Sequence, residues 1–202
     1  ARLCYNDAIL IWTENKDGFD TLWVKQLSEN KVKPIALPKG VYQVSCADKS
    51  TAISVRINGP TTPGHIYVVD AQSGYSEVVY RPTMAGISPN KLVTPLPISF
   101  PSQDGITLYG LLYLPETSKG TQNQSFPIVI DVHGGPTAQA RPSWSPLTQY
   151  LVGKGIAVLD INVRGSTGFG KTYMRKDNQE KRLDSVRDLV DAINYLKADP
   201  RI

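Results

Sequence analysis

Ile128-Val129-Ile130-Asp131-Val132-His133-Gly134-Gly135-Pro136 is the stretch on which the reading of the fold turns. Ile128 to Val132 is a compact apolar run that breaks directly into two glycines and a proline. Runs of this kind read as strands covered on both faces of a parallel sheet. A second run, Ile156 to Val163, follows. Between them Ser143 to Gly153 sets Leu147, Tyr150 and Leu151 at helical spacing, with Gly153 and Gly155 placed to end a helix. Further on, from Glu180 to Ala198, Leu183, Val186, Leu189, Val190, Ile193 and Leu196 form one helical stripe. Asp184, Arg187, Asp191 and Lys197 fall largely off it, Asp188 and Asp191 are expected on the solvated side, and Pro200 closes the run. Strand, helix, strand, helix predicts a parallel α/β sheet with right-handed crossovers.

Upstream, Gln103-Asp104-Gly105 reads as a hairpin turn between Ile98–Phe100 and Ile106–Leu114. A connector containing Pro89, Pro95, Pro97 and Pro101 precedes it and blocks a continuous helix or central strand. Before that connector only strand signals occur: Ala8–Thr13, Thr21–Leu27, Thr51–Ile57 and His65–Asp70, divided by turn clusters such as Asn15-Lys16-Asp17-Gly18 and Asn58-Gly59-Pro60. A shift of about 44 residues lays Ala8-Ile9-Leu10-Ile11 on Ala52-Ile53-Ser54-Val55, and Leu22-Trp23-Val24 on Ile66-Tyr67-Val68. Four short strands in a repeat of roughly 40–45 residues is the size of a β-propeller blade, and two copies cannot close a propeller. The expected fold class is therefore mixed: an antiparallel β half over residues 1–93, either an open sheet pair or blades of a propeller whose others precede Ala1, followed by an α/β half over 94–202.

Composition narrows the function classes. Of 202 residues, 41% are apolar and 20% charged, which excludes a disordered tail; 16 Gly and 15 Pro without a three-residue period exclude a fibrous repeat. A formal charge of +4, spread along the chain, does not mark a nucleic-acid binder. The two cysteines, Cys4 and Cys46, supply no metal-ligand cluster and are expected as buried free thiols. No stretch approaches the roughly 18 apolar residues needed to cross a bilayer, and no signal peptide is visible at the start, so a cytoplasmic protein without a membrane partner is expected.

Chemistry in such sheets gathers where loops leave the carboxyl ends of strands. In the first loop, His133-Gly134-Gly135-Pro136 allows a sharp turn that leaves backbone N–H groups pointing into a crevice, as in an oxyanion hole. In the second, Arg164-Gly165-Ser166-Thr167-Gly168-Phe169-Gly170-Lys171-Thr172, residues 165–172 satisfy the phosphate-cradling pattern G-x-x-x-x-G-K-[ST]. The pattern needs a helix with an apolar face to follow, and 172–182 offers only Tyr173 and Met174 as bulky apolar residues; no later strand carries an Asp for magnesium. A P-loop nucleotide hydrolase is thus a secondary reading.

His-Gly-Gly-Pro, then NVRGSTGFGKTY, the helix DSVRDLVDAINYL and the final DPRI together resemble serine peptidases of the prolyl oligopeptidase family, most closely the acylaminoacyl-peptidase and dipeptidyl-peptidase-like branch. The turn SQDGITLYGLLYLP is similar to that family's entry into its hydrolase domain. The resemblance implies a propeller, of which residues 1–93 are the last blades, followed by an α/β-hydrolase domain. It further implies hydrolysis of short peptides through an acyl-enzyme, and no cofactor or metal. It implies a backbone oxyanion donor near Gly135, with His133 and Gly134 beside it and His133 not the catalytic base. Arg164 is implied to be structural, tying its loop to neighbouring carbonyls, while Gly165, Ser166, Gly168 and Gly170 border the active-site entrance. The family's G-x-S-x-G nucleophile elbow is not found within the 202 residues; the triad Ser, Asp and His are expected after Ile202, so the segment alone is expected to be inactive. The exposed sheet edge that such a segment presents implies a dimer or a swapped assembly. A non-catalytic propeller-plus-α/β interaction module is the other reading.

Overall fold

The computed structural model describes residues 1–116, 125–135 and 137–202; Pro136 of the first loop lies outside the described residues. The chain divides into two compact units, 1–90 with 142–144, and 91–141 with 145–202.

The first unit consists of two antiparallel meanders with the same strand order. β1 (Arg2–Cys4), β2 (Ile9–Lys16), β3 (Phe19–Gln26) and β4 (Lys31–Ile35) form one; β5 (Val41–Cys46), β6 (Ala52–Gly59), β7 (Thr62–Asp70) and β8 (Ser76–Tyr80) form the other. Every strand of the first has its counterpart in the second, as the internal repeat predicts. The β2–β3 turn shows why the breakers stand where they do: Asp17 and Gly18 take φ of 53° and 86°, and the Gly18 N–H donates to Asn15 Oδ1 at 3.0 Å. Alternate residues, Ile9, Ile11, Leu22 and Val24 from one sheet and Ile53, Val55, Ile57 and Val69 from the other, enter a single core.

One expectation fails in this unit. Cys4 and Cys46 are not free thiols but a disulfide, with Cα atoms 5.9 Å apart. The shared core brings the end of β1 against the end of β5. Two backbone hydrogen bonds continue the contact, from Tyr5 N–H to Ala47 O at 3.3 Å and from Asn6 N–H to Asp48 O at 2.8 Å. His65, half-buried in β7, is held below the usual histidine pKa by burial and by Arg81.

The second unit holds a four-stranded mixed sheet in the order β11-β12-β10-β9. β9 (Leu96–Pro101) and β10 (Thr107–Tyr113) are the predicted hairpin, with Gly105 at φ 81° in its turn. β11 (Ile128–Val132) and β12 (Ala157–Asn162) run parallel, joined through helix α1 (Pro146–Gly153), while β12 pairs antiparallel with β10. The sheet is therefore mixed rather than wholly parallel. Ser145 caps α1, its Oγ accepting the Thr148 N–H at 3.2 Å. Leu111, Tyr113 and Val158 pack with Val152 of α1. Phe100, Leu108, Leu112, Leu159, Ile161 and Val163 pack with Ala192 and Leu196 of α3 (Arg182–Lys197). None of the described helices is long and apolar enough to cross a membrane.

Two further expectations are corrected here. β12 is covered on both faces, but β11 is the edge of the sheet and leaves Val129 and Val132 42% and 44% exposed. α3 is turned relative to the stripe read from its sequence: Leu183, Val186, Val190 and Ile193 face outward, whereas Asp188 and Asp191 are buried together with Ala192 and Leu196. The buried carboxylates are matched to partners on other elements. Asp191 Oδ2 accepts the Gln103 N–H at 3.1 Å, and Asp188 receives Arg164.

The β11–β12 register sets Asp131 directly opposite Asp160, so both carboxyls stand on one face of the sheet. Asp160 Oδ1 is buried with no hydrogen-bond partner, and burial, reinforced by Asp131, pushes the Asp160 carboxyl up to about 7. A folded-state pKa raised above the unfolded value means that the favourable contribution is complete below the unfolded pKa and is lost as pH rises toward 7. Asp160→Asn is therefore expected to stabilise by about 2 kcal/mol at pH 8 and to change little at pH 4, as denaturant midpoints at the two pH values will read.

Candidate active-site loops

β11 delivers His133, Gly134 and Gly135 at its carboxyl end, beside the end of β12, where the second loop begins. Gly135 takes φ of 132°, and a Cβ there would lie 2.9 Å from the Thr137 amide nitrogen. This position needs glycine. The predicted residues of the two loops meet at one contact: His133 Nε2 lies 2.9 Å from Ser166 Oγ. Ser166 is wholly buried, and its Oγ–H is placed to donate to Val163 O at 2.7 Å. His133 Nδ1 also lies 3.1 Å from Gly134 O, which can only accept, so the one N–H of the neutral imidazole serves either Gly134 O or Ser166 Oγ. With Ser166 buried away from any substrate, the pair is a structural tie and not a nucleophile with its base.

Glycines shape the second loop by what lies against them. Gly165 (φ 97°) has the Asp177 carboxyl where a Cβ would stand, and Gly168 (φ 91°) has the Gln139 amide there. Gly170 (φ 91°) opens on free space and precedes α2 (Lys171–Met174). Phe169 stacks on Tyr109 of β10 with centroids 4.2 Å apart, and Tyr173 meets both rings edge-on. The Tyr173 hydroxyl donates to Asn162 O at 2.8 Å; burial, with Asp188 nearby, raises the phenol pKa. A four-residue α2 supplies neither the apolar face nor the dipole that a phosphate cradle requires. The GSTGFGKT string consequently does not act as a P-loop.

Among the described residues Arg164 bonds carboxylates, not the neighbouring carbonyls that the resemblance implied. Its Nη2 donates to Asp188 Oδ1 at 2.7 Å, Nε to the same carboxylate at 2.9 Å, and its backbone N–H to Asp188 Oδ2 at 2.8 Å. On the other side Nη1 and Nη2 grip Asp104 at 2.7 and 3.0 Å. Burial alone would lower the guanidinium pKa; the hydrogen bonds and charge of Asp188 and Asp104 overturn that and raise it. The Arg164 and Ser102 hydrogen bonds hold Asp104 well below the usual carboxylate range. One side chain thereby fastens the second loop, the β9–β10 hairpin and α3 together. Asp104 was visible in the sequence only as a turn residue and Asp188 only as a helix polar residue; a lone basic residue at the end of a buried strand was the available signal for both.

Known proteins share this fold. The whole chain superposes on 30% of a puromycin hydrolase with a TM-score of 0.84 at 20% identity, and 96% of it on 28% of a prolyl endopeptidase with a TM-score of 0.81 at 18% identity. At these identities the likeness establishes the fold. In sequence, residues 142–202 match the model of the prolyl oligopeptidase family. The chain is 36% identical over 119 residues to dipeptidyl aminopeptidase BIII of Pseudoxanthomonas mexicana, covering 57% of this chain and 17% of that protein. It is 26% identical over 204 residues to the uncharacterized peptidase YuxL of Bacillus subtilis (strain 168), covering 95% of this chain and 30% of that one. The match to the prolyl oligopeptidase family covers the last 61 of the 202 residues, and the chain spans under a third of the length of these relatives.

Proposed function

We propose that these 202 residues form part of a serine peptidase that cleaves short peptides through an acyl-enzyme. In this reading the two meanders are consecutive β-propeller blades within 1–93, and 94–202 is the first part of an α/β-hydrolase domain. The observation that carries it is the His133–Gly135 loop at the end of β11, fixed by the His133–Ser166 hydrogen bond at 2.9 Å. Attack on a peptide carbonyl develops negative charge on its oxygen, and a pre-set backbone N–H near Gly135 stabilises that charge without reorganising. His133 holds the loop, and the 165–170 loop borders the entrance. The names of the relatives support an aminopeptidase of the dipeptidyl type as the substrate class.

The attacking serine is not supplied here. No G-x-S-x-G occurs in the sequence, and the Ser166 proton is taken by a backbone carbonyl. Acyl transfer requires a serine activated by an oriented base. The expected result is no turnover of a fluorogenic dipeptide amide by the 202-residue segment, and turnover abolished by a serine-directed phosphonate in the complete polypeptide that carries it. Inhibitor-sensitive turnover by the segment alone overturns the division of labour; an inert complete polypeptide favours the non-catalytic interaction module.

A further inference from the structure

The oxyanion loop is tied at its entry by His133, but a loop fixed at one end only can still swing. Its far end is held as well. Asn162, the last residue of β12 and almost wholly buried, turns its side-chain amide onto the backbone of Ala140. Its Oδ1 accepts the Ala140 N–H at 2.8 Å, and its Nδ2 donates to Ala140 O at 3.2 Å. This two-point grip reproduces, through a side chain, the bonding that a neighbouring strand would give. Next to it the Thr167 N–H donates to Ala138 O at 2.7 Å, and the Gln139 side chain lies against Gly168. The backbone of Asn162 is held in turn by the Tyr173 hydroxyl, which donates to its carbonyl oxygen at 2.8 Å.

We propose that Asn162 is a positioning residue for peptide hydrolysis: by clamping Ala140 it fixes the exit of the oxyanion loop, so that the backbone N–H near Gly135 stays aimed where charge develops. The inference rests on the peptidase reading above. It assigns to the Asn of the N-x-R-G-S string a task that neither its composition nor its position in β12 announces. Removing an oxyanion donor costs on the order of 10²–10³ in kcat, and a loosened donor costs part of that.

Two readouts on the complete polypeptide test it: hydrogen exchange over residues 137–141, and steady-state hydrolysis of a fluorogenic peptide. In Asn162→Ala, exchange is expected to quicken at least ~10-fold and kcat to fall about 10- to 100-fold with KM nearly unchanged, since ground-state binding is not involved. Asn162→Asp keeps the shape and serves if Asn162→Ala does not fold. Ionised, its carboxylate can accept from Ala140 N–H but repels Ala140 O; protonated, it again offers one donor and one acceptor. Its exchange protection and its kcat relative to wild type at the same pH are thus expected to recover from pH 8 to pH 5, a recovery that a packing role alone does not produce. Unchanged exchange in Asn162→Ala overturns the clamp. Faster exchange with kcat intact overturns its part in the reaction. A wild-type polypeptide that turns over no peptide overturns the peptidase reading instead, and the exchange result alone then decides whether Asn162 holds the loop.

Discussion

Arg164→Ala is expected to destabilise the second unit by about 3–5 kcal/mol, more than any other single charge removal there. The reason is what remains behind. Asp188 is 0% exposed, and without the guanidinium its buried carboxyl keeps, among the described residues, the residue 164 backbone N–H as its hydrogen-bond partner. Removing one member of a buried pair strands the other, whereas replacing both by apolar residues of similar size need not. Arg164→Met with Asp188→Leu is accordingly expected to recover most of the loss in a double-mutant cycle read by urea denaturation. Asp104→Asn provides the contrast: its side chain is 52% exposed, so solvent screens the pair and the expected cost is under ~1 kcal/mol. Equal losses for Asp104→Asn and Arg164→Ala would refute the assignment of Asp188 as the dominant partner. The pH sense follows from Asp104, whose carboxyl is depressed: its contribution is present above the unfolded pKa and drains away as pH falls below it.

That ion network also shows where sequence reading loses its grip. The strands were legible because alternation and turn chemistry are local: Asp17-Gly18 and Gly105 adopt the left-handed angles that their positions between apolar runs demand. The length of α3 was legible from its period and from Pro200. Its orientation was not. An amphipathic pattern says which residues share a face but not which face meets this sheet: Ala192 and Leu196 pack on it beside the buried Asp188 and Asp191, and Arg164, 24 residues earlier, is the Asp188 partner. The two loops were both legible as glycine-rich strand ends. What joins them, His133 to Ser166 and Asn162 to Ala140, depends on β11 and β12 lying side by side in parallel, and spacing carries no record of that.

The Cys4–Cys46 bridge is the second case, and it carries the other large effect. Cys4 and Cys46 stand at the ends of β1 and β5, and the shared core brings those ends within bonding range, a proximity that the sequence reading of two free thiols missed. The bridge closes a loop of sequence separation 42 and constrains the unfolded chain by about 4 kcal/mol on the chain-entropy argument. Paired Cys4→Ser and Cys46→Ser replacements are expected to lower the stability of the first unit by an amount of that order. Adding dithiothreitol to the unaltered protein should reproduce the loss, and adding it to the double variant should change nothing. Cys4 is buried and Cys46 is not, so reduction is expected to begin from the Cys46 side or after local opening between β1 and β5. The same pair reports on compartment. Glutathione in a cytosol keeps such thiols reduced, while secreted and periplasmic proteins retain their bridges. Acid-quenched alkylation of freshly lysed cells therefore separates two situations: blocked cysteines place the working protein where disulfides persist, and alkylated ones mean that it functions in the cytoplasm without the staple, at the lower stability of the double variant.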